Sequence, residues 1–529
     1  MSARSGPSRN SALDPANVGG AALVFFGLLA VALLIFAGAD YLEAAPGEIR
    51  GPLDWLARLD GAAAMERIAS AAEVVAGVLA IAITVVAIVV ELAANRYTHR
   101  ITQLFVEAPT NFLVMGFFVL TTILCVWVST TPGTVDIQAS RIPHAGLILT
   151  MGMVTACLLM LLPYFAFVFR FLSPTNVITR IKEQAVSAIS AATRHMRPGM
   201  RANAIAAVEE LEDIAHGARE HSDRTISMTS VEALRQLLAD YEPMRDNLPP
   251  RWFEIDGPLL QDPDFVSMDR TVVAELVSER LWFETKVLRQ YHSIFSESLI
   301  TARDIANLVA LNTRRIGVDS ATERPALLGL TVRFFNSYLR AAINARDLRT
   351  AYYVLQQYRL LGEATFSADR GELGLEIASH FRYYGQQALS QGQGFLLEVV
   401  AYDVAQLVEF AVDHGREEAG ALVDLFLEVD RETDSPGQEE RLRGVRRCQV
   451  QLATFFLERG DEVSARRIFA DMEDERTERL TAVRDELLTE TRPQYWEFTD
   501  RGVNFSYLPP SRRALVEPFF SWFGTRLDD

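Results

Sequence analysis

Two apolar runs separated by a short polar link decide the fold of this chain. They lie within residues 72–128, which read AEVVAGVLAIAITVVAIVVELAANRYTHRITQLFVEAPTNFLVMGFFVLTTILCVWV. The runs at 74–90 and 112–128 are uncharged and seventeen residues long each. A membrane-spanning helix needs about 17–25 apolar residues at a rise of 1.5 Å per residue. The stretch therefore predicts a transmembrane hairpin, with Arg96, His99 and Arg100 in its polar turn.

Apolar runs on either side of the hairpin raise the predicted number of spans to four. The four spans are expected at about 18–39, 72–91, 111–128 and 145–169, after a polar and disordered N-terminus at 1–17. A signal peptide is the alternative for residues 18–39, because Arg4 and Arg9 precede the run and Ala37 and Ala39 resemble a cleavage site. The run is longer than the apolar core of a signal peptide, about 7–15 residues, which favours a retained span.

The arginine and lysine residues near the spans predict the topology. They lie before the first span, in the hairpin turn, and after the fourth span at Arg170, Arg180 and Lys182. Three more arginines lie between the first and second spans, where six acidic residues outnumber them. Loops rich in these residues remain on the cytoplasmic side of a membrane. We therefore expect a multi-pass protein of the bacterial inner membrane with both termini in the cytoplasm.

The second span carries the residues to which the sequence assigns a role in the bilayer. Small side chains lie one helical turn apart at Ala72, Ala76, Ala80 and Thr84. Such a ridge lets a second helix approach closely, which predicts helix packing and a homo-oligomer. Glu73 and Glu91 bracket the span and share a helix face, as carboxylates of a pore mouth would; two interfacial residues that end a span are the alternative.

Two stretches resemble a known family. Residues 85–124, VVAIVVELAANRYTHRITQLFVEAPTNFLVMGFFVLTTIL, and 161–185, LLPYFAFVFRFLSPTNVITRIKEQA, resemble the membrane part of a bacterial family of predicted membrane proteins, domain of unknown function 2254. The resemblance covers roughly residues 65–190. It implies a multi-span membrane domain that leads into a cytosolic helix, and it implies no activity.

The second half of the chain is predicted to be α-helical and cytosolic. Linker helices are expected at 173–264 and a degenerate helical-repeat domain at 265–529, so the fold class is all-α. Ala453, Gly460 and Ala465 have the spacing of a tetratricopeptide helix pair, in which Gly460 and Asp461 form the turn. Ala342 and Ala351 fit the same frame more weakly. Ala351 and Ala465 are 114 residues apart, which is not a multiple of the 34-residue repeat. A plain helical bundle is therefore the alternative.

Charge and composition exclude several classes of function. The net charge is −17, and residues 171–529 hold 42 basic and 57 acidic residues, which argues against nucleic acid as a partner. The three cysteines, Cys125, Cys157 and Cys448, lack the spacing of a zinc site or a disulfide framework, and buried thiols are expected. The nucleotide-binding and hydrolase motifs are absent from the sequence. We predict no catalytic, cofactor or metal site and no enzymatic activity.

Two features near the C-terminus leave alternatives open. Arg441, Arg443, Arg446 and Arg447 follow acidic residues and are expected on a solvated, salt-bridged helix face. Nine aromatic residues lie between 495 and 523: Tyr495, Trp496, Phe498, Phe505, Tyr507, Phe519, Phe520, Trp522 and Phe523. They predict either a cap on the last helix pair or a contact with a partner or subunit.

Two functions are compatible with these observations. In the first, the spans anchor and oligomerise the protein in the lipid bilayer while the cytosolic helical domain binds a protein partner as a scaffold or sensor module. In the second, the protein is an oligomeric ion channel or transporter gated by that domain. The threonines inside the spans, Thr84, Thr121, Thr122, Thr150 and Thr155, are the polar groups that could line a path.

Overall fold

The described part of the chain is built from helices alone. A computed structural model of the chain describes residues 61–96, 100–106, 108–130, 144–430, 438–497 and 499–527. Over those residues every regular element is helical, which confirms the predicted all-α class. The predicted N-terminus, 1–17, and the first predicted span, 18–39, lie outside the described residues. The chain divides between Val177 and Ile178 into two units.

Four of the helices among the described residues lie in the first unit. They are α1 (Gly61–Arg96), α2 (Arg100–Val106), α3 (Pro109–Thr130) and α4 (His144–Phe171). Three segments among the described residues are long and apolar enough to cross a membrane: Glu66–Asn95, Pro109–Thr130 and Ile148–Phe171. They correspond to the second, third and fourth predicted spans. The described residues therefore hold three candidate spans where the whole sequence predicts four.

One face of α1 forms the core of this unit. Its buried residues follow the helical period: Ile68, Ala72, Val75, Ala82, Val86, Val90 and Ala94. This face packs on α3 and α4, where Cys125 and Val128 join Ile68 and Ala72 in one cluster. Cys125 and Cys157 are buried free thiols, as expected.

The second unit begins inside the fifth helix, and the regular elements among its described residues are helices. Its helices are α5 (Pro174–Arg194), α6 (Met200–Glu220), α7 (Arg224–Arg245), α8 (Gly257–Gln261), α9 (Arg270–Ser278), α10 (Trp282–Ser298), α11 (Arg303–Ser320), α12 (Pro325–Asn344), α13 (Leu348–Ser367), α14 (Gly371–Ser390), α15 (Phe395–Asp413), α16 (Ala419–Leu427), α17 (Gln438–Glu458), α18 (Glu462–Met472), α19 (Thr477–Thr489), α20 (Pro510–Arg513) and α21 (Val516–Phe520).

These helices stack in two layers. Helices α6, α10, α12, α14 and α16 pack side by side in one layer, and α7, α11, α13, α15 and α17 pack side by side in the other. From α10 to α15 successive helices alternate between the layers, so each one contacts the next helix in sequence and the next but one. The segment predicted as linker helices, 173–264, contributes α6 and α7 to this stack, and both pack on the helices that follow.

The two predicted tetratricopeptide-like frames lie on the α12–α13 and α17–α18 pairs. Ala342, Ala351, Ala453 and Ala465 are fully buried where their helices touch. The turn expected at Gly460 and Asp461 is present, with Gly460 at a φ of +74° and the Asp461 carboxylate accepting from the Ser464 amide. Helix α18 has only 11 residues against 21 in α17. Relationship to the tetratricopeptide family is not confirmed.

Candidate functional site

A non-helical segment crosses one layer of the helical unit. The crossing segment, residues 490–509, connects α19 to α20, and position 498 within it is not described. It passes in turn over α13, α15 and α17. Between the segment and these helices lies a cavity of about 690 Å³. A second cavity of about 370 Å³ shares Phe395, Glu398, Arg447 and Glu486 with the first.

One arginine fastens the crossing segment to α15. The guanidinium of Arg501 donates to both carboxylate oxygens of Asp403, at 2.8 and 3.0 Å. It also donates to the backbone carbonyl of Tyr352 at 2.6 Å. The Arg501 guanidinium carbon lies 4.2 Å from the centre of the Tyr352 ring. The side chains of Arg501 and Asp403 are 2% and 0% exposed. A bidentate arginine–carboxylate pair of this kind fixes both position and orientation.

The backbone of the crossing segment is held by α17. The Gln451 side-chain amide donates to the carbonyls of Phe505 and Tyr507, at 2.7 and 3.3 Å. The ring of Phe505 packs on Tyr402 of α15, with the ring centres 4.5 Å apart. Side chains of the helices thus satisfy a stretch of chain that lacks regular secondary structure, as buried backbone groups require.

A charged network forms the wall shared by the two cavities. Arg447 of α17 bonds to Glu398, to Glu486 at 2.5 Å and to Ser506 at 3.1 Å. Burial acts to raise the pKa of Glu486, but Arg447 and the Ser506 hydroxyl outweigh it, so the pKa lies below its usual value. The Glu398 side chain lies across Gly444, where an added Cβ would come within 2.5 Å of it. The position of the Glu398 side chain in this network therefore requires glycine at position 444.

Exposed aromatic rings stand beside this wall. Tyr495 and Trp496 stack with their ring centres 4.1 Å apart, and they are 36% and 65% exposed. Phe395 faces them from the start of α15 and is 40% exposed. Large aromatic surfaces next to polar groups are typical of contacts between proteins. The arrangement is therefore suited to binding.

The structure separates the two alternatives for the aromatic tail. Phe519, Phe520 and Phe523 are buried, and α21 packs on α17 and α19, as the cap alternative predicts. Tyr495 and Trp496 are exposed, so a contact with a partner or subunit stays a prediction for these two residues. Phe498 lies outside the described residues. The tail thus contains both a cap and an exposed surface.

The arginine cluster differs from the expectation of a solvated face. Arg446 and Arg447 are largely buried and pair with acids on other elements, including Asp430, Glu475 and Glu486. Arg443 keeps 49% of its side chain exposed and pairs with Glu486. The partners are distant in the sequence, so the local pattern gave no sign of them.

The two lysines of the chain, Lys182 and Lys286, form ion pairs. Lys286 is buried, and its Nζ lies 2.7 Å from Glu209 and 2.8 Å from both Asp262 and Asp264. Burial acts to lower the pKa of Lys286, but its bonds to these carboxylates raise it overall, so the amine stays protonated. Lys182 pairs with Asp240 at 3.0 Å. In the described residues no three His, Cys, Asp or Glu side chains are placed to hold a metal ion.

The residues predicted to act in the bilayer differ in burial along α1. Ala72 is buried in the core of the first unit, whereas Ala76, Ala80 and Thr84 are exposed. Glu73 and Glu91 are both exposed. Helix packing through the ridge and a pore role for the two carboxylates stay predictions.

Comparison with known proteins supports the membrane assignment. Residues 20–239 match the family model described as predicted membrane protein DUF2254. The match covers the three candidate spans and continues into α5, α6 and α7. No curated protein and no solved structure matches the chain.

Proposed function

We propose that the protein is a membrane-anchored protein-interaction module whose helical unit binds a partner at the crossing segment. The observation that carries this proposal is the exposed Tyr495–Trp496 stack beside a cavity of about 690 Å³. Tryptophan, tyrosine and arginine dominate the binding energy of protein interfaces. Here Trp496 and Tyr495 lie at the entrance and Arg447 on the wall.

The charge of the site supports a protein partner. Glu398, Glu486 and Glu490 are balanced along the cavity wall by Arg443, Arg447 and Arg492, and Arg447 already bonds to two of the acids. The network is nearly neutral, and its charged groups are largely engaged. Recognition then rests on aromatic contact and on hydrogen bonds, the usual combination at protein interfaces.

The membrane unit supplies the anchor in this proposal. The positively charged residues around the spans favour the cytoplasm for the helical unit and the bacterial inner membrane for the anchor. The partner is then a cytosolic protein.

The threonines within the spans give the channel alternative no support. Each of the five donates its hydroxyl to a carbonyl one turn earlier in its own helix, as in Thr121 to Phe117 at 2.8 Å and Thr150 to Gly146 at 2.7 Å. A hydroxyl satisfied in this way needs no water-filled path.

Site-specific photo-crosslinking in native membranes tests the proposal. A photoreactive amino acid replaces Trp496 in the full chain, and a second version carries it at Tyr383, an exposed tyrosine on α14. We expect a cross-linked cytosolic protein from position 496 alone. Trp496→Ala should then reduce co-purification of that protein about tenfold, while Tyr383→Ala leaves it unchanged. Identical products from both positions, or a product containing only a second copy of this chain, would contradict the proposal.

A further inference from the structure

We propose that one edge of the helical unit, the turn edge, lies on the surface of an anionic lipid bilayer and inserts three apolar side chains among the lipid headgroups. The turn edge consists of residues 299–303, 345–349 and 391–395, which connect α10 to α11, α12 to α13 and α14 to α15. This contact goes beyond the proposed function, because it does not involve Tyr495 or Trp496.

The three turns form one row, because each is bonded to the next. The Ile300 amide donates to the Asp347 carboxylate at 2.8 Å, and Arg303 Nε donates to the same carboxylate at 2.9 Å. The side-chain amide of Gln393 donates to the carbonyl of Ile343, just before the second turn, at 2.8 Å. Packed helices lie roughly 8–10 Å apart, so the turns follow one another at about that spacing.

Each turn of the row exposes one large apolar side chain. Ile300 is 56% exposed, and Leu348 and Phe395 are each 40% exposed. Leu348 is the first residue of α13, and Phe395 is the first residue of α15. Apolar side chains scattered singly over a surface are ordinary, but one in each of three bonded turns forms a row that points to an interaction site.

The backbone of Ile300 is strained as well. Its φ is +67°, a conformation that is rare for a β-branched residue. The residues at the corresponding position of the next two turns, Arg346 and Gly392, have φ values of +56° and +79°. Glycine or an unbranched polar residue therefore fits this position at lower cost. Strain of this kind clusters at functional contacts, and at Ile300 it accompanies an exposed apolar side chain.

The charge of the turn edge is positive, although the net charge of the chain is −17. The three turns read LITAR, ARDLR and QGQGF, and their charged residues are Arg303, Arg346, Arg349 and Asp347. Asp347 is fully buried and is bound by Arg303. Arg349 is 62% exposed, whereas its partner Asp500 is 22% exposed. The edge therefore presents guanidinium groups to its surroundings, and these groups bind phosphate oxygens.

This combination fits a bilayer better than it fits a protein. A stable protein interface buries about 800 Å² on each partner, which calls for a continuous face rather than a row of separate apolar side chains. Lipid headgroups adapt around single apolar side chains, while arginines reach the phosphates and gain from the negative surface potential of anionic lipid. The same chain carries three candidate spans, so the bilayer that holds them is tethered to the helical unit.

Fluorescence quenching of the full chain in phosphatidylglycerol nanodiscs tests the proposal. A polarity-sensitive fluorophore is attached at Ile300→Cys, and the lipids carry a quencher on their acyl chains. The matched control is Val318→Cys, because Val318 is an exposed β-branched residue at the other end of α11, about 27 Å away at 1.5 Å per residue. Cys125, Cys157 and Cys448 are buried, so the label reaches the introduced thiol.

We expect quenching at position 300 to be at least about twofold stronger than at position 318, because an inserted side chain lies at the boundary between headgroups and acyl chains. Arg346→Glu in the Ile300→Cys chain should reduce the quenching, since it replaces a positive group by a negative one at the lipid surface. Nanodiscs of phosphatidylcholine should reduce it as well. Equal quenching in the two lipids would contradict the proposal.

Equal quenching at positions 300 and 318 would overturn the proposal. A label at 300 that is shielded both from the lipid quencher and from iodide in the water would show that protein covers the edge, which would also overturn it. Leu348→Cys gives the same comparison if Ile300→Cys fails to fold. Phe395 also borders the cavity beside Trp496, so the labels are kept on the other two turns. Cross-linking from position 496 is read separately, and the proposed function survives a failure here.

Discussion

Two histidines of the helical unit differ in the sign of their response to pH. His216 lies 3.1 Å from Glu212 and 2.8 Å from Glu297. Burial and the nearby Arg219 act to lower the pKa of His216, but the two carboxylates raise it above its usual value. His380 Nδ1 lies 3.0 Å from the Tyr358 hydroxyl oxygen, and burial lowers the pKa of His380. The first histidine favours its charged form and the second its neutral form.

His216 should stabilise the fold at mildly acidic pH. When folding raises the pKa of a histidine, its charged form stabilises the folded chain. This stabilisation is complete below the pKa of the unfolded chain, about 6.5, and it is lost as the pH rises through the pKa of the folded chain. His216→Gln should therefore lower the melting temperature more at about pH 6 than at about pH 8.5. His380→Gln is the control with the opposite sign, since its cost should shrink at about pH 6. Thermal unfolding of the full chain in mild detergent measures both, and equal deficits for His216→Gln at the two pH values would refute the assignment.

Asp347 and Asp461 cap helices in the same type of turn but are buried to different depths. Asp347 is fully buried and accepts from the Ile300 amide at 2.8 Å, from Arg303 at 2.9 Å and from the Thr350 hydroxyl at 2.9 Å. Asp461 accepts from the Ser464 amide at 3.0 Å. Asp347→Ala should cost about 2–4 kcal/mol of unfolding free energy, because several donors lose their acceptor. Asp461→Ala should cost about 1 kcal/mol, and urea denaturation distinguishes the two; similar costs would show that the donors to Asp347 find other partners.

Single residues were predictable from the sequence where their contacts are local. The turn at Gly460 and Asp461 was predicted because the left-handed residue and the cap are adjacent in the chain. The ion pair between Asp403 and Arg501 was not predicted, because the two residues are 98 positions apart in the sequence. Asp and Arg are abundant in this chain, so their presence gives no sign of which pairs form.

At the scale of elements, the sequence predicted the helices well and their buried faces less well. The predicted spans at 72–91, 111–128 and 145–169 lie within α1, α3 and α4. The small-residue ridge pointed to Ala76 and Ala80, yet the face of α1 that packs on α3 and α4 carries Val75 and Val86. Every face of a membrane helix is apolar, so composition does not separate a protein-facing side from a lipid-facing one.

The exposed ridge on α1 predicts an additional helix–helix contact. Ala76 and Ala80 are not covered by α3 or α4, so the first predicted span or a second copy of the chain is the expected neighbour. Ala80→Leu should reduce the oligomer size or the melting temperature in mild detergent, because overpacking a filled contact costs about 1–3 kcal/mol. Ala166→Leu on α4 is the matched control, since that alanine is also exposed. Equal behaviour of the two variants would mean that the ridge faces lipid.

The choice of a control substitution for Ala80→Leu depends on which residues of α1 are buried. Val75 would serve as a neutral position if the ridge alone packed, but it is fully buried against the other helices. Val75→Leu should therefore destabilise the first unit. Val74, 54% exposed, is the suitable β-branched position for a tolerated change to leucine.

At the scale of the whole molecule, the distribution of basic residues predicts a four-span topology. Reporter fusions after Asn17, Pro109 and Ser173 should report the cytoplasm, and fusions after Gly51 and Gly133 should report the periplasm. The physical reason is the retention of arginine and lysine on the cytoplasmic side during insertion. Alkaline phosphatase and fluorescent-protein fusions give complementary signals at each site. A reversed signal at any pair of neighbouring sites would rule out the four-span arrangement.

The helical unit should fold without the membrane unit, and its N-terminal limit can be predicted from α5. Ile181, Ala185 and Ile189 are buried along one face of this helix, and Lys182 binds Asp240 of α7 at 3.0 Å. A fragment of residues 178–529 should be soluble, strongly helical by circular dichroism and monomeric by light scattering. A fragment of residues 200–529 lacks α5, so it loses the stabilisation that comes from burying this face. Burial of apolar surface contributes about 25 cal/mol of folding free energy for each Å². We therefore expect the shorter fragment to be helical but to melt at a lower temperature and to self-associate. Equal stability of the two fragments would show that α5 belongs with the spans, and a spectrum dominated by strand would contradict the helical assignment of the unit.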